Sequence, residues 1–162
     1  VLLLAIIEGV STKRLRRFND VLRRKTNAMI RYSVTYVAAL VIMGVVDTIW
    51  LSIMANRFYR PTFGDIALTG INAAPAILFY LIYPIGLTLF AISPMLKSGT
   101  IGLAAVYGAL FGFFTYATYD LTNQATLRNW TWQLTIVDVG WGTILGALAA
   151  AGSFALVTKL GL

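Results

Sequence analysis

The sequence predicts an all-α integral membrane protein, a four-helix transmembrane bundle with an N-terminal basic amphipathic helix. Three observations carry that prediction. The 162 residues are 59% hydrophobic and only 12% charged, with a mean hydropathy of +0.78, far more apolar than soluble domains of this size. Apolar stretches long enough for a hydrocarbon core of about 30 Å recur four times. Eight of the 13 basic residues fall between Lys13 and Arg31, beside the first of these stretches. That placement suits anionic lipid headgroups or topology control rather than a nucleic-acid groove.

Two regions follow, residues 1–30 as a basic membrane-surface segment and residues 31–162 as the four-span domain. Val1 to Ile7 is apolar but too short to span, and basic residues follow it instead of preceding it. It therefore does not read as a secretory signal peptide, and the end of an upstream helix is the alternative. Ser11 and Thr12 can cap a helix in which Leu15, Phe18 and Leu22 recur at helical spacing. Arg14, Arg16, Arg17, Arg23, Arg24 and Lys25 fill its other faces and are the expected lipid- or partner-docking residues. A solvated basic tail is the competing expectation, because Asn19, Asp20 and Asn27 interrupt the apolar stripe.

The spans are expected at Tyr32 to Ala55, Ala73 to Ile92, Ile101 to Gln124 and Thr131 to Val157. Between them lie short linkers marked by Arg57, Arg60, Pro61, Gly64 and Asp65, then by Pro94, Lys97 and Gly99, then by Arg128 and Asn129. Placing both termini and Lys97 in the cytoplasm puts about ten positive residues inside and three outside, as the positive-inside rule prefers. Small residues recur four apart as Ala104, Gly108 and Gly112, and as Gly142, Gly146 and Ala150, a spacing that lets helix backbones approach closely. Pro75 falls in the first turn of the second span, whereas Pro84 lies mid-span and is expected to kink it. Tyr32, Trp130 and Trp132 suit the membrane interface.

Within these apolar stretches stand Asp47, Asp120 and Asp138. A carboxylate at the centre of a span costs roughly 2.5 to 3.5 kcal/mol, so three unrelieved ones would cost on the order of 10 kcal/mol. They must be protonated, paired, hydrogen-bonded or near water. At about 1.5 Å of rise per residue, all three fall roughly 10 to 14 Å below the outer boundary. Tyr116, Tyr119, Asp120 and Asn123 share one side of the third span by helical spacing. Trp50 follows Asp47, and Trp141 follows Asp138, at the same Asp-x-x-Trp interval, and Tyr80 brings the second span to that level. These nine residues form an expected intramembrane polar cluster. It reads either as a pocket for a cation, a proton or a polar headgroup, or as a hydrogen-bonded network that fixes the bundle.

At Tyr119-Asp120-Leu121-Thr122-Asn123-Gln124-Ala125-Thr126-Leu127 the sequence resembles a bacterial membrane family of unknown function, DUF2177. Asp47-Thr48-Ile49-Trp50-Leu51, the Phe58-Tyr59 pair and Val137-Asp138-Val139-Gly140-Trp141-Gly142 support the match, which covers about Arg31 to Leu162. The resemblance implies a small four-span protein of the bacterial cytoplasmic membrane and supplies no activity. The basic extension at residues 1–30 is not part of the family pattern.

With zero Cys and zero His, the chain lacks a thiolate nucleophile, an imidazole base, the usual zinc ligands and a haem histidine. No metal site or cofactor is expected, bound lipid aside, and retinal attachment is disfavoured because no span contains a lysine. The leading expectation is a non-catalytic polytopic membrane protein, an accessory or assembly subunit packing against anionic lipid and other membrane subunits or its own copies, with no nucleic acid. The alternative is a protein that binds or transports a proton, cation or small solute through Asp47, Asp120 and Asp138. A lipid-acting membrane enzyme stands third, since carboxylates can do acid–base work but no nucleophile elbow, metal motif or phosphate loop is present.

Overall fold

Side chains mark where each of the last three helices begins, by accepting from amides of the first turn that no helical carbonyl can reach. Asn72 Oδ1 accepts from Ala74 N at 3.3 Å, Thr100 Oγ1 from Leu103 N at 3.3 Å and Thr131 Oγ1 from Leu134 N at 3.2 Å. A computed structural model describes the backbone of residues 2–97 and 99–162 and the side chains of residues 14–97 and 99–162. It is 88% helical with no strands among the described residues. Four helices are long and apolar enough to cross a membrane: α1 (Leu2–Met54), α2 (Ala73–Gly86), α3 (Ile101–Thr126) and α4 (Trp132–Lys159).

The first of these runs without a break from the basic segment into the first span, having no Gly or Pro between Val10 and Met43. Position 30/31 is therefore not an element boundary, since one helix carries the backbone through it. Every side chain from Arg14 to Ile30 is exposed. The expected cap at Ser11 and Thr12 lies outside the described side chains.

Two of the helices widen before they end. α1 passes through a π-turn (Ala55–Tyr59) into a short helix (Arg60–Phe63), and α2 passes through a π-turn (Leu87–Ile92) into a last turn (Ser93–Met95). The second widening lies just beyond Pro84, which has no N–H to give the helical ladder. That π-turn joins α2 to the bundle: Leu87, Thr88, Ala91 and Ile92 are buried, while most of the preceding Ala73–Gly86 stretch is exposed. Its exposed face is apolar, as a lipid-facing helix requires.

The tightest packing is between α3 and α4. A methyl group on Gly108 would overlap the Gly146 carbonyl and Ala150, one on Gly112 the Gly142 carbonyl, and one on Gly142 the ring of Tyr116. The small-residue spacing is thus a packing seam. Asn129 closes one end of the bundle, donating from Nδ2 to Phe63 O at 3.0 Å and to Asp65 Oδ1 at 2.8 Å. Between those two partners the chain turns at Gly64 with φ +58°, a conformation that favours glycine. At the opposite end Arg31 donates to the Leu96 carbonyl. The α1–α2 and α3–α4 connections therefore share one end, and the α2–α3 connection shares the other with Arg31.

One aromatic departs from the interface expectation. Trp132 is 67% exposed, but Trp130 is 8% exposed and belongs to the core with Tyr59 and Leu134. A buried indole N–H needs an acceptor, and an aspartate one helix away provides it.

Candidate functional site

Asp47, on α1, is 5% exposed and has both oxygens occupied. Tyr80 Oη, from α2, donates to Oδ2 at 2.5 Å, and Trp141 Nε1, from α4, donates to Oδ1 at 2.9 Å. Three helices thus meet at one carboxylate. Asp138, on α4, accepts from Tyr59 Oη at 2.5 Å through Oδ1, and Tyr59 in turn accepts from Trp50 Nε1 at 3.0 Å. Charged acceptors bound by O–H donors make short, strong hydrogen bonds, which offset the desolvation of the carboxylates.

The two Asp-x-x-Trp units exchange partners. Trp141 serves Asp47 directly, and Trp50 serves Asp138 through Tyr59. Their indoles stack with centroids 4.2 Å apart and planes 5° from parallel. The π-turn Ala55–Tyr59 holds the exchange together, because it lies one helical segment beyond Trp50 and turns the Tyr59 phenol back into the bundle.

Above this layer opens a cleft of about 690 Å³, walled by Asp47, Trp50, Tyr59, Asp138 and Trp141 and reached by Tyr116, Tyr119 and Trp130. Arg60, exposed, lies at its edge. Asp138 and Tyr116 also line an adjoining cavity of about 360 Å³ beside Tyr83 and Thr115. Among the described residues Oδ2 of Asp138 takes no hydrogen bond and is not a buried orphan. A carboxylate oxygen beside a broad aromatic wall is a recognition element for a cation.

Asp120 is placed differently. It is 0% exposed, accepts from Trp130 Nε1 at 3.3 Å through Oδ1, and its Oδ2 is buried without a partner. It does not line the cleft. Its neighbours by helical spacing do not bind it: Tyr119 is 56% exposed and packs edge-on against Trp130, and Asn123 lies outside the cleft wall. Among the described residues, no three or more His, Cys, Asp or Glu side chains converge as a metal site.

Sequence reasoning missed Tyr59 and Trp130 as members of these networks. Tyr59 falls in what composition marks as a linker, and Trp130 reads as an interface aromatic. A signal for Tyr59 was present, since it belongs to the Phe58-Tyr59 pair quoted for the family resemblance. Gln124 and Thr135 add a further link between α3 and α4, with Thr135 Oγ1 donating to Gln124 Oε1 at 2.7 Å.

Four apolar spans, a glycine seam and a carboxylate layer roofed by aromatics define a small polytopic helical membrane protein. More specifically, the chain belongs to the family described as predicted membrane protein (DUF2177), which matches residues 32–155. The basic segment up to Arg31 lies outside the matched residues. No curated protein and no solved structure matches the chain.

Proposed function

We propose that this protein is a non-catalytic membrane protein that binds a small organic cation, an amine or quaternary ammonium compound, in the cleft above Asp47 and Asp138. The single observation that carries this reading is the pairing of an available Asp138 oxygen with the stacked Trp50–Trp141 wall. Indole faces attract ammonium groups, and because Trp50 and Trp141 each cover one face of the other, the cation would sit on an outer face of the stack. Arg60 at the rim accommodates a ligand that carries an anionic group beyond its ammonium. With the positive-inside rule placing both termini in the cytoplasm of a bacterial cell, the cleft faces outward.

Choline titrated into the purified protein, followed by tryptophan fluorescence, tests the reading. A saturable change in wild type that disappears in Trp50→Leu is expected. No saturable response to choline or to other small amines contradicts it.

Orientation has its own test, on a chain that contains no native cysteine. Leu68→Cys and Arg128→Cys should react with an impermeant thiol reagent added outside intact cells, and Lys97→Cys should not. Labelling of Lys97→Cys from outside reverses the topology.

A second reading, an accessory or assembly subunit, is supported by the basic extension. Leu15, Phe18 and Leu22 are 59%, 61% and 46% exposed on a helix surrounded by arginines. Such a stripe suits anionic lipid or a partner subunit. Removing residues 1–27 should leave the four-span body inserted while loosening that association; loss of insertion argues for a folding role instead.

A further inference from the structure

At the end of the bundle opposite the carboxylate layer lies a second cleft, of about 430 Å³, with the reverse chemistry. Arg24 and Arg31 come to it from α1, Ser93 and Lys97 from the end of α2, and Gly161 and Leu162 from beyond α4. Asn27 and Tyr32 complete its polar wall, and among the described residues no Asp or Glu side chain lines it.

Two donors in this wall are buried and unused. Arg31 spends one guanidinium nitrogen on the Leu96 carbonyl, yet among the described residues its Nε has no acceptor, and neither does Ser93 Oγ. Ser93 shares this state with Thr88, within the neighbouring π-turn, and with Tyr83, while most helical hydroxyls here are satisfied. Thr35, Thr62, Thr115, Thr118, Ser153 and Thr158 each donate to the carbonyl four residues back. Ser93 follows directly on the π-turn Leu87–Ile92, where its own amide reaches Thr88 O, five residues back, so the usual carbonyl is displaced. A buried donor without an acceptor is costly, and the acceptor that suits a set made of guanidinium, ammonium and hydroxyl groups is an oxyanion.

We propose that this cleft binds a phosphate group, with Arg31 and Ser93 donating from the wall and Arg24 and Lys97 supplying charge from the exposed sides. Arg31 is held for the task by its Leu96 bond, which leaves the guanidinium edge with Nε free. The cleft lies where the basic segment meets the first span, the level at which lipid headgroups sit, so a membrane phospholipid is the source its position favours. The site is independent of the cation reading, since it shares no residue with the other cleft.

The test uses the full chain in detergent, with binding read by native mass spectrometry and by thermal stability. The probes are dihexanoylphosphatidylglycerol, the matching diacylglycerol without phosphate, and inorganic phosphate. Saturable binding of the phospholipid but not of the diacylglycerol is expected, weakened at least about tenfold in Lys97→Gln and Arg31→Gln, the loss of one charge-assisted contact. Arg57→Gln, which removes the same charge from an exposed position at the other end of the bundle, outside both clefts, should leave affinity unchanged. Inorganic phosphate binding with the same variant pattern upholds the phosphate site and assigns it a soluble ligand. Equal binding of the diacylglycerol, or equal weakening by Arg57→Gln and Lys97→Gln, overturns the proposal. Because Arg31 also holds a backbone carbonyl, Lys97→Gln, whose side chain is exposed, decides the matter if Arg31→Gln fails to fold.

Discussion

Asp47 and Asp120 are both buried aspartates on membrane-spanning helices, at 5% and 0% exposure, yet their surroundings differ in kind. Asp47 receives a phenol from α2 and an indole from α4, one donor to each oxygen. Asp120 receives a single, longer indole bond and keeps one oxygen without a partner. The first joins three helices; the second joins α3 only to the start of α4. Burial of a carboxylate in a bilayer protein therefore does not by itself indicate a role. What distinguishes the two is how many separate elements supply donors, and whether a neighbouring carboxylate, here Asp138, opens onto space a ligand could occupy.

Unfolding in detergent can break this comparison, and the expected losses fall in order. Asp47→Leu should be the most damaging, because it strands Tyr80 Oη and Trp141 Nε1 together, at about 2 to 4 kcal/mol for two half-buried donors. Tyr59→Phe comes next at about 2 kcal/mol, since it removes the acceptor of Trp50 and the donor to Asp138 at once. Asp120→Leu should cost no more than about 1 kcal/mol, because losing the Trp130 bond is partly offset by removing a carboxylate that is half unsatisfied. Asp120→Asn should lie within about 0.5 kcal/mol of wild type, keeping the shape and one carbonyl acceptor for Trp130. An Asp120→Leu protein as unstable as Asp47→Leu would mean that the orphaned oxygen has a partner, and the contrast would fail.

Much of this arrangement was legible in the sequence, for reasons that are local. Four spans follow from apolar length, and the Gly108, Gly112, Gly142 and Gly146 seam follows from spacing on single helices. The common level of Asp47, Tyr80 and Asp138 follows from rise per residue. Partners across elements were not legible. That Trp141 would serve Asp47, rather than the aspartate three residues before it, depends on how α1 and α4 face each other. Tyr59 was hidden because a π-turn carries helical geometry into a segment whose Arg57, Arg60 and Pro61 mark it as a linker. The nearness of Tyr119 and Asn123 to Asp120 along α3 suggested a shared network, but side chains one position apart diverge by about 100° around a helix, and Tyr119 turns to the cleft, which Asp120 does not line. The basic segment looked separable by its charge, whereas the backbone continues through it because nothing in its sequence interrupts the helix.

The most direct measurement is a choline titration, by calorimetry, of wild type, Asp138→Asn and Asp120→Asn in the same detergent. Wild type should bind saturably, Asp138→Asn should weaken binding at least about tenfold, the loss of one ion-pairing oxygen, and Asp120→Asn should stay within about twofold. Equal affinity in wild type and Asp138→Asn, or loss of binding in Asp120→Asn alone, would contradict the assignment of the site to the aromatic cleft.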